Sequence, residues 1–390
     1  MKKYALVLEG GGARGAYQIG AYKALKEEGY EFKAVIGTSI GAINAALIAQ
    51  GDEEKLEELW RNLSFGDLIN VDNNKVQDLI VNKNITKDNL SEITKVTTDA
   101  LKSLGINTDK ERELLERYVD EGKIRKSKIR FGLVTFNLSD FKAEKLFIED
   151  IPKGKLVDYL MASSNLPIFK RAKIEDKNYL DGGAVDNCSV EMLYDAGYKN
   201  IVAVRLFLRN RIRKYYSLKK NEDLNLEMIV PSENLPYILN FETSSLNNII
   251  DYGYVDTIKQ IEKLNGTYYA IEKVSKNIIE NSVNQIKPFD ALEIVKYANI
   301  KLNVGENVKD ILISKAIPKI ERNTFVKKKA HLYEQILDII EFVASNEKIS
   351  KNEIYTYDKL LKMVKEKIKN IDANNLSQIE KAAYTLIQKI

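Results

Sequence analysis

Apolar positions at the start of the chain alternate between short continuous runs and helical spacing. Residues 5–8 are a continuous apolar run that stops at glycines, which is typical of a strand buried on both faces. Helically spaced apolar residues over 16–28 predict a helix that ends at a glycine. Residues 32–36 and 43–50 repeat the strand and the helix. This order of elements predicts a parallel sheet.

A charged pattern with helical spacing replaces the strands over residues 52–126 and predicts a helical insertion beside the sheet. Apolar, β-branched runs at 129–136, 143–147 and 201–208 predict further strands, so the sheet is expected to end near Leu208. The expected fold class is α/β, with three layers in which a mainly parallel sheet lies between helices.

The composition of the chain changes after Gly253, where it becomes lysine-rich and mostly helical. We therefore expect one domain over residues 1–263, with the helical insertion at about 52–126. Residues 264–390 are expected to form a helical, lysine-rich C-terminal region.

Composition and charge exclude several classes of function. The 390 residues are 44% hydrophobic and 30% charged, and their net charge is only +4, so nucleic acid is not an expected partner. One cysteine, Cys188, and one histidine, His331, do not make a cluster of metal ligands. We expect no metal and no other cofactor, and we expect Cys188 to be a small buried residue.

The N-terminus gives an expectation about location. Met1-Lys2-Lys3-Tyr4 leads directly into the first predicted strand, which leaves no room for the apolar stretch of a signal peptide. The longest apolar-rich run, residues 40–49, is too short to span a bilayer as a helix. We therefore expect a cytoplasmic protein without a transmembrane helix.

A glycine-rich loop at residues 10–15, Gly-Gly-Gly-Ala-Arg-Gly, follows the first predicted strand. It satisfies the G-x-G-x-x-G pattern of dinucleotide-binding sites. Such a site also needs an acidic residue at the end of the second strand to hold a ribose, and that strand ends in Gly37-Thr38-Ser39. The pattern therefore argues against a dinucleotide site.

Residues 37–41, Gly-Thr-Ser-Ile-Gly, form a G-x-S-x-G motif between a strand and a helix, which is the context of a nucleophile elbow. Ser39 is the predicted nucleophile. Backbone N–H groups of the glycine loop and of the helix N-terminus are expected to hold the oxyanion, with Gly11 and Gly12 the best donors of the loop. The full set of expected oxyanion residues is Gly10, Gly11, Gly12 and Ile40.

Further residues around the two motifs are expected to support the site. Arg14 either anchors the glycine loop or is an ordinary surface arginine, and the sequence leaves both alternatives open. The complete supporting set is Arg14, Gly15, Gly37, Gly41, Gly182 and Gly183.

A serine nucleophile needs a base within hydrogen-bond reach. His331 follows three lysines on a predicted C-terminal helix, so we expect it to be a surface or helix-packing residue. Asp181 stands before two glycines after a short apolar approach, at a predicted strand end, and it is the predicted base. The strand ends of a parallel sheet gather at one edge, where Asp181 can meet Ser39.

The three motifs together resemble the patatin-like phospholipases, whose signature combines a G-G-G-x-[RK]-G loop, a G-x-S-x-G elbow and a D-G-[GA] base. All three occur here in this order, at residues 10–15, 37–41 and 181–183. The resemblance covers the chain from Tyr4 to about Leu208. No motif that we can name covers the last hundred or so residues.

Two flanking blocks follow the family pattern with departures. Residues 162–169 resemble its A-S-x-A-x-P-x-x-F segment, with Asn165 in place of a small residue. Asp186 and Asn187 match the usual polar pair, and Ser189 stands where a proline is common. Residues 252–256 look like the family's closing helix. The departures lie beside the site and leave the acyl preference open.

The resemblance implies a calcium-independent Ser-Asp dyad that cleaves fatty acyl esters of phospholipids or related lipids. We therefore expect a lipid acyl hydrolase of the phospholipase A or lysophospholipase type, with a lipid as its substrate. An acyltransferase or thioesterase with the same dyad is one alternative. A non-catalytic lipid-binding protein is the other. The headgroup, the acyl position and the oligomeric state are not readable from the sequence.

Two segments bear on contact with a membrane. Residues 205–220 carry seven basic and no acidic side chains, so they are either a solvated basic loop or a site for anionic headgroups. The residues expected to make that peripheral contact are Arg209, Arg211, Arg213 and Lys214. Residues 235–241 are mostly apolar and could line an acyl groove or touch a bilayer, but core packing is the favoured interpretation.

Overall fold

A computed structural model of the chain describes residues 2–68, 108–166, 172–208, 222–324 and 329–390. The chain divides into two compact units, Met1–Thr257 and Ile258–Ile390. Among the described residues, no helix is both long enough and apolar enough to cross a membrane.

Within the described part of the first unit, eight strands form one mixed sheet in the order β5-β6-β3-β2-β1-β7-β8, and β4 pairs with β3. Five neighbouring strands, β3, β2, β1, β7 and β8, pair in parallel. Strands β4, β5 and β6 pair antiparallel. The strands are β1 (Lys2–Leu8), β2 (Tyr30–Thr38), β3 (Arg130–Asn137), β4 (Lys142–Phe147), β5 (Ala172–Ile174), β6 (Lys177–Asp181), β7 (Asn200–Val204) and β8 (Asn225–Ile229).

The apolar run in β1 explains its central place in the sheet. Its residues from Ala5 to Leu8 are buried, as expected for a strand with helices or loops on both faces. Leu8 pairs with Gly37 of β2 and with Val204 of β7. The segments that follow these three strands therefore leave the sheet at the same edge.

Helices flank this sheet and fill most of the described part of the predicted insertion, residues 52–68 and 108–126. The helices of the first unit are α1 (Ala16–Glu27), α2 (Ile40–Gln50), α3 (Glu53–Asn62), α4 (Phe65–Leu68), α5 (Asp109–Tyr118), α6 (Glu121–Lys126), α7 (Leu156–Ser163), α8 (Val190–Asp195) and α9 (Thr243–Glu262), the last of which extends into the second unit. Short 3-10 turns cover Gly12–Gly15, Ile148–Asp150 and Gly182–Ala184. The α/β class and the mainly parallel central sheet agree with the prediction.

The sheet departs from the prediction near Leu208. The strand predicted over 201–208 ends at Val204, because the Glu9 carboxylate accepts the N–H groups of Leu206 and Phe207 at 2.6 and 3.3 Å. The sheet does not end there, since β8 follows at Asn225–Ile229 and pairs in parallel with β7. Strand β8 is a half-buried edge strand with a glutamate inside it, so its apolar pattern is weak.

The second unit is helical, as expected, with two additional two-residue strands. Its elements are β9 (Ala270–Ile271), α10 (Lys276–Asn284), α11 (Pro288–Tyr297), α12 (Val308–Ile311), α13 (Ile317–Thr324), α14 (Leu332–Asn346), β10 (Ile354–Tyr355), α15 (Tyr357–Ile368) and α16 (Gln378–Lys389). A π-helical segment covers Leu312–Ala316, and a 3-10 turn covers Ala373–Asn375. Buried isoleucines, leucines and valines of these helices form one core.

Candidate active site

Ser39 lies in a sharp turn between β2 and α2. Its backbone has a φ of 56° and a ψ of −130°, which is an unfavourable region for a residue with a side chain. A Cβ on Gly37 would lie 2.0 Å from the carbonyl oxygen of Gly41, and a Cβ on Gly41 would lie 2.4 Å from that of Leu8. Both glycines of the motif are therefore required by close backbone packing. Helix α2 begins at Ile40, directly after the serine and earlier than predicted.

The turn at Ser39 is held by a second serine. The Ser39 N–H donates to Ser163 Oγ at 2.9 Å, and that hydroxyl donates to the Val134 carbonyl of β3 at 2.7 Å. Ser163 is fully buried at the end of α7. Since its hydroxyl joins the elbow to the sheet, the Ser39 side chain is left to face the cavity described below.

Asp181 reaches Ser39 from an antiparallel strand, which differs from the route expected for a parallel sheet. It ends β6 and pairs with Thr135 near the end of β3. Its N–H donates to the Asn165 carbonyl at 2.9 Å, and the Gly183 N–H donates to its Oδ1 at 2.6 Å. The Ser39 side chain lowers the pKa of the Asp181 carboxyl group, and both residues line one cavity. The structure thus brings the predicted nucleophile and base together.

Burial decides the acidity of Asp181. Desolvation raises its pKa from the ordinary 3.8 to about 6, and the hydrogen bonds from Ser39 and from the Gly183 N–H oppose that rise. The carboxyl is therefore mostly ionised at neutral pH. It is also a stronger proton acceptor than an exposed aspartate, which suits a general base.

The glycine loop lies beside the elbow, and its N–H groups differ in availability. The Gly10 N–H donates to the Asn187 carbonyl at 3.2 Å, and Asn187 Nδ2 donates back to the Gly10 carbonyl at 3.0 Å. Gly10 is therefore not available to a substrate oxygen, contrary to the prediction that included it. Among the described residues, the N–H groups of Gly11 and Gly12 have no acceptor. The Ile40 N–H opens α2 and has no intrahelical partner.

The far side of the glycine loop is fixed by main-chain contact with residues 236–238. The Ala13 N–H donates to the Ile238 carbonyl at 2.8 Å. Gly12 has a φ of 57°, and a Cβ there would lie 2.2 Å from the same carbonyl oxygen. A side chain at position 12 would therefore push the loop away from this segment.

Arg14 anchors the loop, which was one of its two predicted roles. Its Nε donates to the Pro236 carbonyl at 2.7 Å, and its Nη1 donates to the Leu206 carbonyl at 3.4 Å. The guanidinium group also lies 4.5 Å from the ring centre of Phe207, a cation–π distance.

Glu9 is a structural residue of the site that the sequence analysis missed. It is buried, and it pairs with buried Arg205 through Nε at 3.1 Å and Nη2 at 3.2 Å. The same carboxylate accepts the N–H groups of Leu206 and Phe207. An acidic residue between a buried strand and a glycine loop was the available signal, because an unpaired charge is rarely buried.

The residues that depart from the family pattern have defined contacts. Asn165 is buried, and its Nδ2 donates to the Tyr179 carbonyl at 3.1 Å while its own carbonyl holds Asp181. Ser189 Oγ donates to the Asp186 carboxylate at 2.8 Å. Both departures therefore add hydrogen bonds to the segments around Asp181.

Ser39 and Asp181 open into a cavity of about 400 Å³. Its lining is mostly apolar and includes Ile43, Leu166, Leu180, Ala184, Phe207, Ile238, Leu239 and Phe241. Three residues of the segment 235–241 thus line the cavity, where core packing had been the favoured interpretation. A cavity of this volume with an apolar lining suits a hydrocarbon chain.

A second carboxyl group, Glu111 of α5, also lines this cavity. Its side chain shares a hydrogen bond of 2.7 Å with Ser164 Oγ. Burial raises its pKa to about 7, and the negative charge of Asp181 acts in the same direction. The sequence analysis missed Glu111, because no motif marks it within the helical insertion. Its burial among charged neighbours on α5 was visible only in the fold.

A family model described as patatin-like phospholipase matches residues 6–194, the part of the chain that holds this site. The match marks a patatin-like phospholipase domain over these residues. The patatin-like match includes the glycine loop, the elbow and the segment that carries Asp181.

Individual relatives of the patatin-like domain are distant or matched over short stretches. The chain is 53% identical over 49 residues to the uncharacterized protein YqhO of Bacillus subtilis (strain 168), which is 13% of this chain and 17% of that protein. It is 24% identical over 245 residues to the probable lipid hydrolase 463L of Invertebrate iridescent virus 6, which is 57% of this chain and 77% of that protein. The chain thus spans less than a fifth of the length of YqhO.

Among solved structures, VipD from Legionella pneumophila aligns with 99% of this chain and 90% of its own, at 14% identity and a TM-score of 0.44. A similarity at this level carries no argument about function.

Other predicted residues lie outside the patatin-like site or outside the described residues. His331 is the exposed N-cap of α14 and lies 5.9 Å from the Tyr333 ring. Cys188 is buried, as predicted. No group of residues that could hold a metal ion occurs in the described ranges. The segments 167–169 and 209–221, with the expected membrane contacts Arg209, Arg211, Arg213 and Lys214, lie outside those ranges.

Proposed function

We propose that the chain is a lipid acyl hydrolase in which Ser39 is the nucleophile and Asp181 the base. The observation that carries this proposal is that Ser39 and Asp181 line the same mostly apolar cavity, where the Ser39 side chain is near enough to lower the pKa of the Asp181 carboxyl group. The N–H groups of Gly11, Gly12 and Ile40 line the same cavity without an acceptor among the described residues, and they add the donors that an acyl-transfer transition state needs.

The reaction begins with attack of Ser39 Oγ on the acyl carbonyl carbon, while Asp181 accepts the hydroxyl proton. The carbonyl oxygen becomes an oxyanion and is stabilised by the N–H groups of the glycine loop and of Ile40. When the tetrahedral intermediate collapses, the ester C–O bond breaks and the leaving alcohol takes the proton from Asp181. A water molecule, deprotonated by Asp181, then cleaves the acyl-enzyme and releases the fatty acid.

The cavity lining supports a long-chain acyl group as the part of the substrate bound beside Ser39. Each methylene group moved from water to such a lining contributes about 0.8 kcal/mol. The substrate class is therefore an ester of a fatty acid, as in phospholipids, lysophospholipids and acylglycerols.

The proposal is tested with a fluorophosphonate probe, which reacts with activated serines. We expect the wild-type chain to be labelled at Ser39, and Ser39→Ala to abolish both labelling and release of fatty acid from lipid substrates. Thermal stability should change little, because the backbone contacts of the turn remain. Labelling that survives the substitution would show that another residue is the nucleophile.

Two controls separate the dyad from other mechanisms. His331→Ala should retain most activity, since a dyad requires no histidine. EDTA should leave the hydrolysis of a soluble ester unchanged, because backbone amides hold the oxyanion. Analysis of the products distinguishes hydrolysis, which releases free fatty acid, from transfer, which forms a new acyl ester.

A further inference from the structure

Glu111 is a buried carboxyl group in the cavity that the proposed reaction does not use. Its Oε1 is held by Ser164 Oγ at 2.7 Å. Among the described residues, none forms a hydrogen bond with Oε2. Because Glu111 lines the cavity, this oxygen is available to a molecule bound there.

Glu111 and the nucleophile line the same cavity and are linked by neighbouring hydrogen bonds. Two adjacent serines connect them, since Ser163 Oγ accepts the Ser39 N–H and Ser164 Oγ contacts Glu111. The negative charge of Asp181 also raises the pKa of Glu111, so the two carboxyl groups are near enough to interact electrostatically. A substrate group near Glu111 is therefore near the scissile ester and not at the far end of the acyl chain.

The surroundings of Glu111 favour its neutral form. Burial raises its pKa to about 7, so a large fraction is protonated near neutral pH and can donate a hydrogen bond. Ser164 Oγ is also 3.2 Å from the Leu160 carbonyl, so its single proton can satisfy that acceptor while Glu111 donates to the serine. An unpaired Oε2 in such a place has a desolvation cost that a ligand can relieve.

The charges around Oε2 limit which chemical group of a substrate can bind there. A phosphate would be repelled by ionised Asp181 and by ionised Glu111. A cation would be attracted only by the ionised form of Glu111, and burial disfavours that form. A hydroxyl group can donate to Oε2 in both protonation states, because the single proton of the neutral acid can be donated to Ser164 Oγ from Oε1.

We propose that Glu111 is a specificity-determining residue whose Oε2 hydrogen-bonds a hydroxyl group next to the scissile ester. The favoured substrates are then monoacyl glycerolipids with the neighbouring glycerol hydroxyl free. This inference rests on the proposed acyl hydrolase function. Acylation or alkylation of that hydroxyl removes its donor and lowers affinity.

A binding experiment tests the contact without relying on turnover. The ligands are a short 1-O-alkylglycerol, an ether that cannot be hydrolysed at this position, and its 2-O-methyl derivative. The full-length wild-type chain should bind the free hydroxyl about 3- to 10-fold more tightly, the range expected for one hydrogen bond. Glu111→Leu should remove this preference, and Glu111→Gln should retain most of it because the amide both donates and accepts.

Glu113→Leu is the matched control, since Glu113 is an exposed glutamate on the same helix. It should bind both ligands as the wild type does. Thermal unfolding of each variant shows whether the fold is intact, and the isosteric glutamine variant covers the case in which the leucine variant unfolds. In hydrolysis, Glu111→Leu should raise the KM for monoacyl substrates more than the KM for a short ester without a hydroxyl, and Glu113→Leu should change neither.

Two results would overturn the inference. One is a wild-type chain that binds the two ethers equally, or a Glu111→Leu variant that keeps the preference. The other is tighter binding of a trimethylammonium analogue that depends on Glu111, which would make the contact cationic. A chain that shows the hydroxyl preference but no labelling of Ser39 would refute the proposed hydrolase function alone.

Discussion

At the scale of single residues, the backbone of Ser39 and the buried carboxyl group of Asp181 both carry a cost in folding free energy. Ser39 has a positive φ, and the Asp181 carboxyl is almost fully buried. In the folded state the pKa of Asp181 is about 6, against an ordinary value of 3.8. The folded protein therefore binds a proton that the unfolded chain has released between these values, and this carboxyl lowers stability as the pH rises through that window.

The first prediction concerns the pH dependence that follows from this shift. Only ionised Asp181 can accept the Ser39 proton, so kcat/KM on a soluble ester should rise with pH through about 6 and then level off. Asp181→Asn should lower turnover by about a thousandfold or more. A pH–rate profile from pH 4.5 to 8 checks the first point.

Stability gives an independent readout for the same residue. At pH 7.5 the asparagine variant should be at least as stable as the wild type, by up to about 3 kcal/mol, because it carries no buried charge. The difference should disappear below pH 4, where Asp181 is protonated in both states. An activity that shows no inflection near pH 6 would argue against Asp181 as the base.

At the scale of elements, helix α9 holds the cavity wall. Its Asp256 accepts the Ser232 N–H at 2.7 Å and the Tyr17 hydroxyl at 3.2 Å, so it ties the segment before residues 235–241 to α1. Close packing of α9 on α1 makes this possible. A Cβ on Gly253 would lie 2.1 Å from the Tyr17 carbonyl oxygen.

Gly253→Ala should therefore separate the two helices, although alanine is the better helix former. We expect a loss of about 1–3 kcal/mol in the free energy of unfolding, measured by denaturant titration. Gly122→Ala in α6 is the control, because its Cβ would meet only a side-chain oxygen at 3.2 Å. That change should be neutral or stabilising by up to about 1 kcal/mol. Equal effects of the two substitutions would show that the α1–α9 contact can relax.

The same elements show what the sequence can and cannot predict. Residues 10–15 and 37–41 carry short motifs whose glycines are required by local backbone geometry. The glycine loop and the nucleophile elbow could therefore be predicted from the sequence. Asp181 was readable from its glycines, but its antiparallel strand was not, because strand direction depends on pairing with distant β3. Glu111 and the Ile238 carbonyl were not readable, since only tertiary packing brings them to the site.

At the scale of the whole molecule, exposed apolar side chains and a basic segment adjoin cavity residues in the sequence. Leu208 and Tyr237 are 40% and 44% exposed, and each is adjacent in sequence to a cavity residue, Phe207 or Ile238. The basic segment that begins at Arg209 follows Leu208 directly in the chain. Cations beside exposed apolar side chains are the combination that anionic membrane surfaces attract.

The last prediction tests that basic segment, whose structure lies outside the described residues. Replacing Arg209, Arg211, Arg213 and Lys214 by glutamine should weaken binding to anionic vesicles and raise the apparent KM there, while a short soluble ester is cleaved normally. Vesicle sedimentation at increasing salt measures the effect. Added salt should reproduce it in the wild type, because exposed charges interact over a screening length of about 8–10 Å at physiological ionic strength.

The control variant removes four other positive charges, at positions on or just after α15 where the side chains are exposed or half-buried. These positions are Lys362, Lys365, Lys367 and Lys369. If attraction depends only on net charge, the two quadruple variants should lose vesicle binding equally. If the basic segment is the contact, only its own variant should lose binding, since screened attraction acts locally. Binding that is indifferent to salt and to both variants would instead direct attention to the apolar side chains, with Tyr237→Ser as the next substitution.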